Sequence, residues 1–238
     1  MDNQLIPGII GGMGPEATID LMNRIYLSTP ANDDIDHLRV LVDNNPKIPS
    51  RIKAIIEGTG ENPAPCMIEM AKGLIKQGAD FLVIPCNTAH YYYDEVSQAI
   101  DVPLVNLLEI TTEEIKRNKK EKVGILGSTA LGIVNLYEPV FAKYELTAIY
   151  PDDDYQDRLM DLIKAVKAKN MTKENIDFIP KLLEHLKLKD IDCLAIVCTE
   201  LSVIKDKIIS ELETFDASDI LTKEIIQRAT KQKTNLKK

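Results

Sequence analysis

Cys86 and Cys198 stand in matching settings. Each closes an apolar run, Phe81-Leu82-Val83-Ile84-Pro85 before the first and Cys193-Leu194-Ala195-Ile196-Val197 before the second. Each is followed by polar residues, Asn87-Thr88 and Thr199-Glu200. A thiol titrates at about 8.5, so modest environmental shifts make it thiol or thiolate near neutral pH. Two such groups on opposite faces of one carbon can take a proton from one side and return a proton on the other, exchanging roles when the reaction reverses. One strand-end cysteine alone is more simply a buried core residue; the matched pair favours chemistry. Cys193 lies an odd strand offset from Cys198 and faces the other way. Cys66, after Pro63 and Pro65, opens a helix, and both are read as structural.

Two further segments carry polar or flexible groups. Gly8-Ile9-Ile10-Gly11-Gly12-Met13-Gly14-Pro15 lacks GxGxxG and Gly-Lys-Ser/Thr, which argues against a nucleotide loop. Its glycines permit close backbone approach ahead of a helix, so it reads as a carboxylate-binding turn. Asp43-Asn44-Asn45-Pro46-Lys47-Ile48-Pro49-Ser50-Arg51 ends on a guanidinium able to fork a carboxylate. By residue type alone, a solvated surface arginine is the simpler reading of Arg51.

The elements that must position these residues alternate. Strands are expected at 5–10, 38–42, 81–84, 103–106, 122–126, 146–150, 193–197 and 214–215, and helices at 16–27, 67–77, 155–169 and 175–186. Such alternation predicts an α/β fold with mainly parallel sheets. The chain also repeats. Pro7-Gly8-Ile9-Ile10-Gly11 resembles Val123-Gly124-Ile125-Leu126-Gly127, and the run into Cys86 resembles the run into Cys198. The offsets, 116 residues from Gly8 to Gly124 and 112 from Cys86 to Cys198, are nearly equal. Two pseudo-symmetric α/β domains facing across a cleft explain this, with residues 1–106 plus 217–238 in the first and 107–216 in the second. Ligands of open parallel sheets bind beyond strand C-termini, where both cysteines fall. Helices following them would favour thiolates and hold a carboxylate.

Three segments, Gly11-Gly12-Met13-Gly14-Pro15-Glu16-Ala17-Thr18, Pro85-Cys86-Asn87-Thr88-Ala89-His90-Tyr91-Tyr92-Tyr93-Asp94 and Cys198-Thr199-Glu200-Leu201, resemble the signatures of the aspartate/glutamate racemase family, in the family's order. The resemblance implies a two-base amino-acid racemase working without pyridoxal phosphate, metal or other cofactor, usually a homodimer. It implies Cys86 and Cys198 as the catalytic pair. Met13, Asn87, Thr88 and Thr199 match substrate-contacting positions, and Glu200 matches the acid beside the second thiol. Arg51 matches an arginine, and Lys169 best matches a Gly-Lys lysine, with Lys167 as the second register. Three departures bear on specificity. Ser50 replaces an aspartate and Ala168 a glycine; in Gly127-Ser128-Thr129-Ala130-Leu131, Ser128 supplies one expected hydroxyl while Leu131 cannot supply the other. Aspartate is the expected substrate. Glutamate, hydantoin and maleate chemistry are the alternatives within the superfamily.

Bulk properties set bounds. The 238 residues, 45% hydrophobic and 28% charged, fit one large or two small domains. A net charge of −8 argues against nucleic acid as a partner and requires a local positive site for an acidic substrate. Apolar runs are too short for a bilayer and Met1-Asp2-Asn3-Gln4 does not open a signal peptide, so a cytoplasmic protein is expected. The four cysteines lack CxxC spacing and the three histidines are scattered, so no zinc site is expected. A nucleotide-dependent oxidoreductase lacks its glycine fingerprint. A two-lobed binding protein would have no use for paired thiols.

Overall fold

The computed structural model describes residues 4–230. Its strands are β1 Pro7–Gly11, β2 Leu41–Asn44, β3 Phe81–Val83, β4 Lys122–Leu126, β5 Thr147–Ile149, β6 Cys193–Ile196 and β7 Thr214–Asp216. The helices of the first half are α1 Pro15–Ser28, α2 Ala64–Lys76, α3 Tyr93–Gln98 and α4 Leu107–Arg117. Those of the second are α5 Thr129–Ile133, α6 Glu138–Lys143, α7 Asp153–Lys167, α8 Lys173–Lys187, α9 Thr199–Val203 and α10 Ala217–Thr230.

The chain forms two compact units. One comprises the chain up to Pro85, Ala89–Leu107 and the stretch from Ser218; the other comprises Cys86–Thr88 and Leu108–Ala217. The first holds a sheet of order β2-β1-β3, the second a sheet of order β5-β4-β6-β7, and every strand pairing is parallel. The internal repeat is visible in this topology. β1 and β4, the two repeated glycine-bearing strands, are each flanked by the next strand in sequence on one side and by the cysteine-bearing run on the other. The fold is α/β with parallel sheets, as the alternation of runs predicted.

Central strands are the most buried, and β3, at the end of its ladder, is buried as well, with Leu82 bridged to Leu104 on its outer side. All residues of β1, β3 and β6 are buried, the continuous apolar pattern of parallel strands covered on both faces. The edge strands β2 and β5 are only partly buried. In the first unit α1 and α2 pack on β1, presenting Ala17, Leu21 and Ile25, and Met67, Met70, Ala71 and Leu74. In the second, α7 packs on α8 and α9, burying Leu159, Leu162, Ile163 and Val166. At the start of α8 the Thr172 hydroxyl accepts the Asn175 N–H and the Asn175 carbonyl accepts the Thr172 N–H, a reciprocal cap.

Two strand expectations shift. Pairing with β1 begins opposite Leu41, so residues 38–40 remain outside the sheet. At 103–106 only one bridge forms, Leu82 to Leu104, because Pro103 has no N–H to extend a ladder. Among the described residues, no helix is long and apolar enough to cross a membrane.

Candidate active site

The Cys86–Thr88 strap and the C-terminal ends of β4 and β6 bring most of the expected residues together within the second unit. Cys86, Asn87, Ser128, Cys198, Thr199 and Glu200 are all buried there. Thr88 and Ser128 share a hydrogen bond of 3.1 Å between their hydroxyls, linking the strap to the start of α5.

Cys198 caps α9 and donates its S–H to Glu200 Oε2 at 3.1 Å. Burial pushes this thiol well above the ordinary range; the Glu200 charge adds to the rise and Lys167 opposes it. The other Glu200 oxygen lies 3.1 Å from Lys167 Nζ. Burial draws the Lys167 ammonium down, but Glu200, Cys198 and Cys86 together raise it. Glu200 thus joins the Cys198 thiol to the Lys167 ammonium. Ser202 donates to Asp216 at 2.5 Å, both buried, tying α9 to β7 and fixing the helix that carries Glu200.

The ammonium that pairs with Glu200 in this unit is that of Lys167. Helix α7 ends at Lys167, while Lys169 lies beyond it, exposed, in a left-handed turn at φ 54°. The sequence reading prefers Lys169, whose neighbour Ala168 stands where the motif has glycine, with Lys167 as the second register.

Asn87 Nδ2 and Thr199 Oγ1 are among the buried polar atoms without a protein hydrogen-bond partner. An unpaired buried donor costs about 1–3 kcal/mol, which a ligand can recover. Two residues that sequence reasoning did not single out shape this surface. Tyr137 donates its O–H to Asn87 Oδ1 at 2.7 Å. Gln156 donates to the Gly127 carbonyl at 3.1 Å and to Thr129 at 3.3 Å. Both lie far along the chain from the groups they serve, so no local motif signals them. Leu131 is fully buried and folds over Gly127, leaving no room there for a Cβ. Its position is apolar core.

The short helices after the cysteines differ from expectation. Cys86 leads into a 3-10 segment, Thr88–Tyr92, before α3, and α9 has five residues. Neither builds much of a macrodipole; at Cys198 the Glu200 backbone N–H, in the first turn of α9, still opposes the rise of the thiol, against the larger effects of burial and the Glu200 charge.

Met13 and Arg51 belong to the first unit. Met13 is buried. The Arg51 guanidinium is part-buried, donating to the carbonyls of Met13 and Pro49, each at 3.3 Å, with Nε buried and without a protein partner. This is a held guanidinium, not a solvated one. Ser50 accepts the Lys53 N–H at 3.3 Å, a capping bond that the aspartate it replaces would also make. The glycine turn is explained by packing. Gly12 sits at φ 94°, where a Cβ would overlap the Asn45 backbone, and its N–H is taken by Thr18 Oγ1 at 2.9 Å.

The remaining cysteines differ in character. Cys193 is fully buried, and burial pushes its thiol up to about 12. Cys66 receives an N–H from Asn45 at 3.5 Å. Among the described residues, no group of three or more histidine, cysteine or acidic side chains could hold a metal ion.

Residues 10–225 match the family model described as Asp/Glu/Hydantoin racemase. The chain belongs to this family. It is an amino-acid racemase, an isomerase. The racemase is 31% identical over 226 residues to the broad specificity amino-acid racemase RacX of Bacillus subtilis (strain 168), covering 92% of this chain and 96% of the relative. Its fold superposes on Picrophilus torridus aspartate racemase with a TM-score of 0.83 at 30% identity, covering 96% and 95% of the two chains. It also superposes on an aspartate racemase homologue from Pyrococcus horikoshii OT3, with a TM-score of 0.74, 22% identity and coverage of 96% and 100%. That likeness concerns the fold of the racemase alone.

Proposed function

We propose that the racemase inverts an acidic amino acid, aspartate foremost, by a two-base mechanism in which Cys86 and Cys198 serve opposite faces of Cα. In one direction a Cys198 thiolate removes the Cα proton of the L-isomer. The electron pair is held in the carbanion-like transition state, and the Cys86 thiol delivers its proton to the opposite face, leaving Cys86 as thiolate and Cys198 as thiol. The reverse direction exchanges the roles, so protons and charge balance over each turnover. The chemistry needs no pyridoxal phosphate and no metal.

The observation that carries this reading is the chain from the Cys198 thiol to Glu200 at 3.1 Å and from Glu200 to the Lys167 ammonium at 3.1 Å, in the unit that also holds Cys86. In this reading Asn87, Thr88, Ser128 and Thr199 hold the shared amino-acid groups, Met13 is a further substrate contact, and Arg51 with Lys167 or Lys169 supplies the local positive charge that a −8 protein needs for a dicarboxylate. A broader substrate range is the second reading, favoured by the RacX relative and by apolar Leu131 where a hydroxyl is expected. The reading extends to a cytoplasmic homodimer whose folding domains are residues 1–106 with 217–238, and 107–216.

The test is racemisation and solvent deuterium uptake at Cα with each aspartate enantiomer, with and without chelator. Cys86→Ala and Cys198→Ala should each abolish racemisation while exchange survives from the one enantiomer whose base remains. Near-normal racemisation by either variant, or activity lost to chelator and restored by metal, would sink the mechanism.

A further inference from the structure

We propose that Tyr137 is a positioning residue: its phenol fixes the Asn87 side-chain amide so that Nδ2 is presented as a donor to a carboxylate of the substrate. The proposal deepens the racemase reading and rests on it.

A primary amide has one acceptor end and one end with two donors, and it interchanges them by a half-turn. Which end faces a ligand depends on what holds the other. Asn87 directly follows Cys86 and is buried, so its orientation determines whether the ground beside the thiol attracts or repels an anion. Tyr137 Oη donates to Asn87 Oδ1 at 2.7 Å. The phenol is 0% exposed, and its ring stands edge-on to Phe141 with centroids 5.1 Å apart. The Tyr137 carbonyl accepts the Phe141 N–H at 2.8 Å, so backbone and ring are both anchored at the start of α6. Burial pushes this phenol far above its ordinary range, against a lowering by Thr111. It stays protonated and remains a donor over any pH at which the protein is folded.

With Oδ1 engaged, Nδ2 is what remains, buried and without a protein partner. Two unspent N–H donors suit a carboxylate oxygen and not an ammonium. The half-turned amide would set its oxygen toward the carboxylate instead. The nearby Thr199 hydroxyl, also unpartnered, can donate or accept and makes no such distinction. Tyr137 thus acts on the ligand only through Asn87.

A double-mutant cycle of Tyr137→Phe and Asn87→Ala tests this, reading KM and kcat for aspartate together with the thermal midpoint. Tyr137→Phe should raise KM about tenfold, the scale of one displaced hydrogen bond, with kcat nearly kept. The double variant should match Asn87→Ala alone. Losses that multiply, or an unchanged KM in Tyr137→Phe, would overturn the proposal while leaving the racemase reading intact. A wild-type protein that neither racemises aspartate nor exchanges its Cα proton would overturn that reading instead. A second arm needs neither turnover nor a folded Tyr137 variant. In the 15N-labelled unmutated protein, malonate, a carboxylate probe, should shift the Asn87 side-chain NH2 resonances, assigned by their absence in Asn87→Ala. Their constancy at saturating malonate would equally refute the presented donor.

Discussion

Cys198 donates its thiol proton to Glu200 at 3.1 Å, and the same carboxylate reaches Lys167 Nζ at 3.1 Å through its other oxygen. The carboxylate therefore sits between a proton carrier and the cation that offsets it. Burial and this negative charge hold Cys198 as a thiol well past its ordinary range. In the proposed mechanism Cys198 must therefore give up its proton before it serves as the base.

The first prediction concerns Glu200→Gln. In the direction where Cys198 is the base, kcat/KM should rise with pH as the thiolate forms. Removing the carboxylate charge removes one of the causes that raise the thiol, so this alkaline rise should move to lower pH. Stability carries the same sign. The folded protein favours the neutral thiol, so its contribution is complete below about pH 8.5, the titration point of the unfolded thiol, and is lost progressively above it. Glu200→Gln should soften that alkaline loss. A pH profile of kcat/KM, paired with thermal midpoints above pH 8.5, checks both; a rise that stays put or moves to higher pH refutes the coupling.

The second prediction separates two lysines. Lys167→Met removes the cation opposing the rise of Cys198 and should shift the alkaline rise to higher pH, opposite to Glu200→Gln. Its side chain is 37% exposed, so the full cost of breaking a buried pair must be discounted for solvent. A loss of about 1–2 kcal/mol, roughly five- to thirtyfold in kcat/KM, is expected. The expected outcome is a smaller loss for Lys169→Met, which leaves the Lys167–Glu200 pair intact; an equal or larger loss returns the site to the register centred on Lys169.

The third prediction concerns substrate class. Arg51 is part-buried and held by the Met13 and Pro49 carbonyls. If it receives the side-chain carboxylate, Arg51→Ala should lower kcat/KM for aspartate by about 2–5 kcal/mol, roughly thirtyfold to several-thousandfold. The loss for alanine, which lacks that carboxylate, should be much smaller. Arg51→Lys should restore only part, keeping the charge without the fork. Parallel kinetics on the two amino acids decide it: equal losses would mean that Arg51 serves the shared α-carboxylate or the fold.

Much was legible in the order of residues because it depends on local patterns. Apolar runs spaced by amphipathic stretches specify parallel strands joined by helices, and the twice-repeated glycine strand and cysteine strand recur as neighbours in both sheets. The cysteine pair, the polar residues after each and the family were readable for the same reason: they lie in contiguous segments. What the tertiary structure alone decided involves partners distant in sequence. Tyr137 meets Asn87 across 50 positions, and Lys167 meets Glu200 from the end of α7. Gly12 owes its identity to the backbone of Asn45, on a neighbouring strand's loop, more than to any ligand. A pattern of residue types determines which element forms and which face it buries; which side chain arrives beside a given thiol depends on where helices end and how strands align, and those are set by packing.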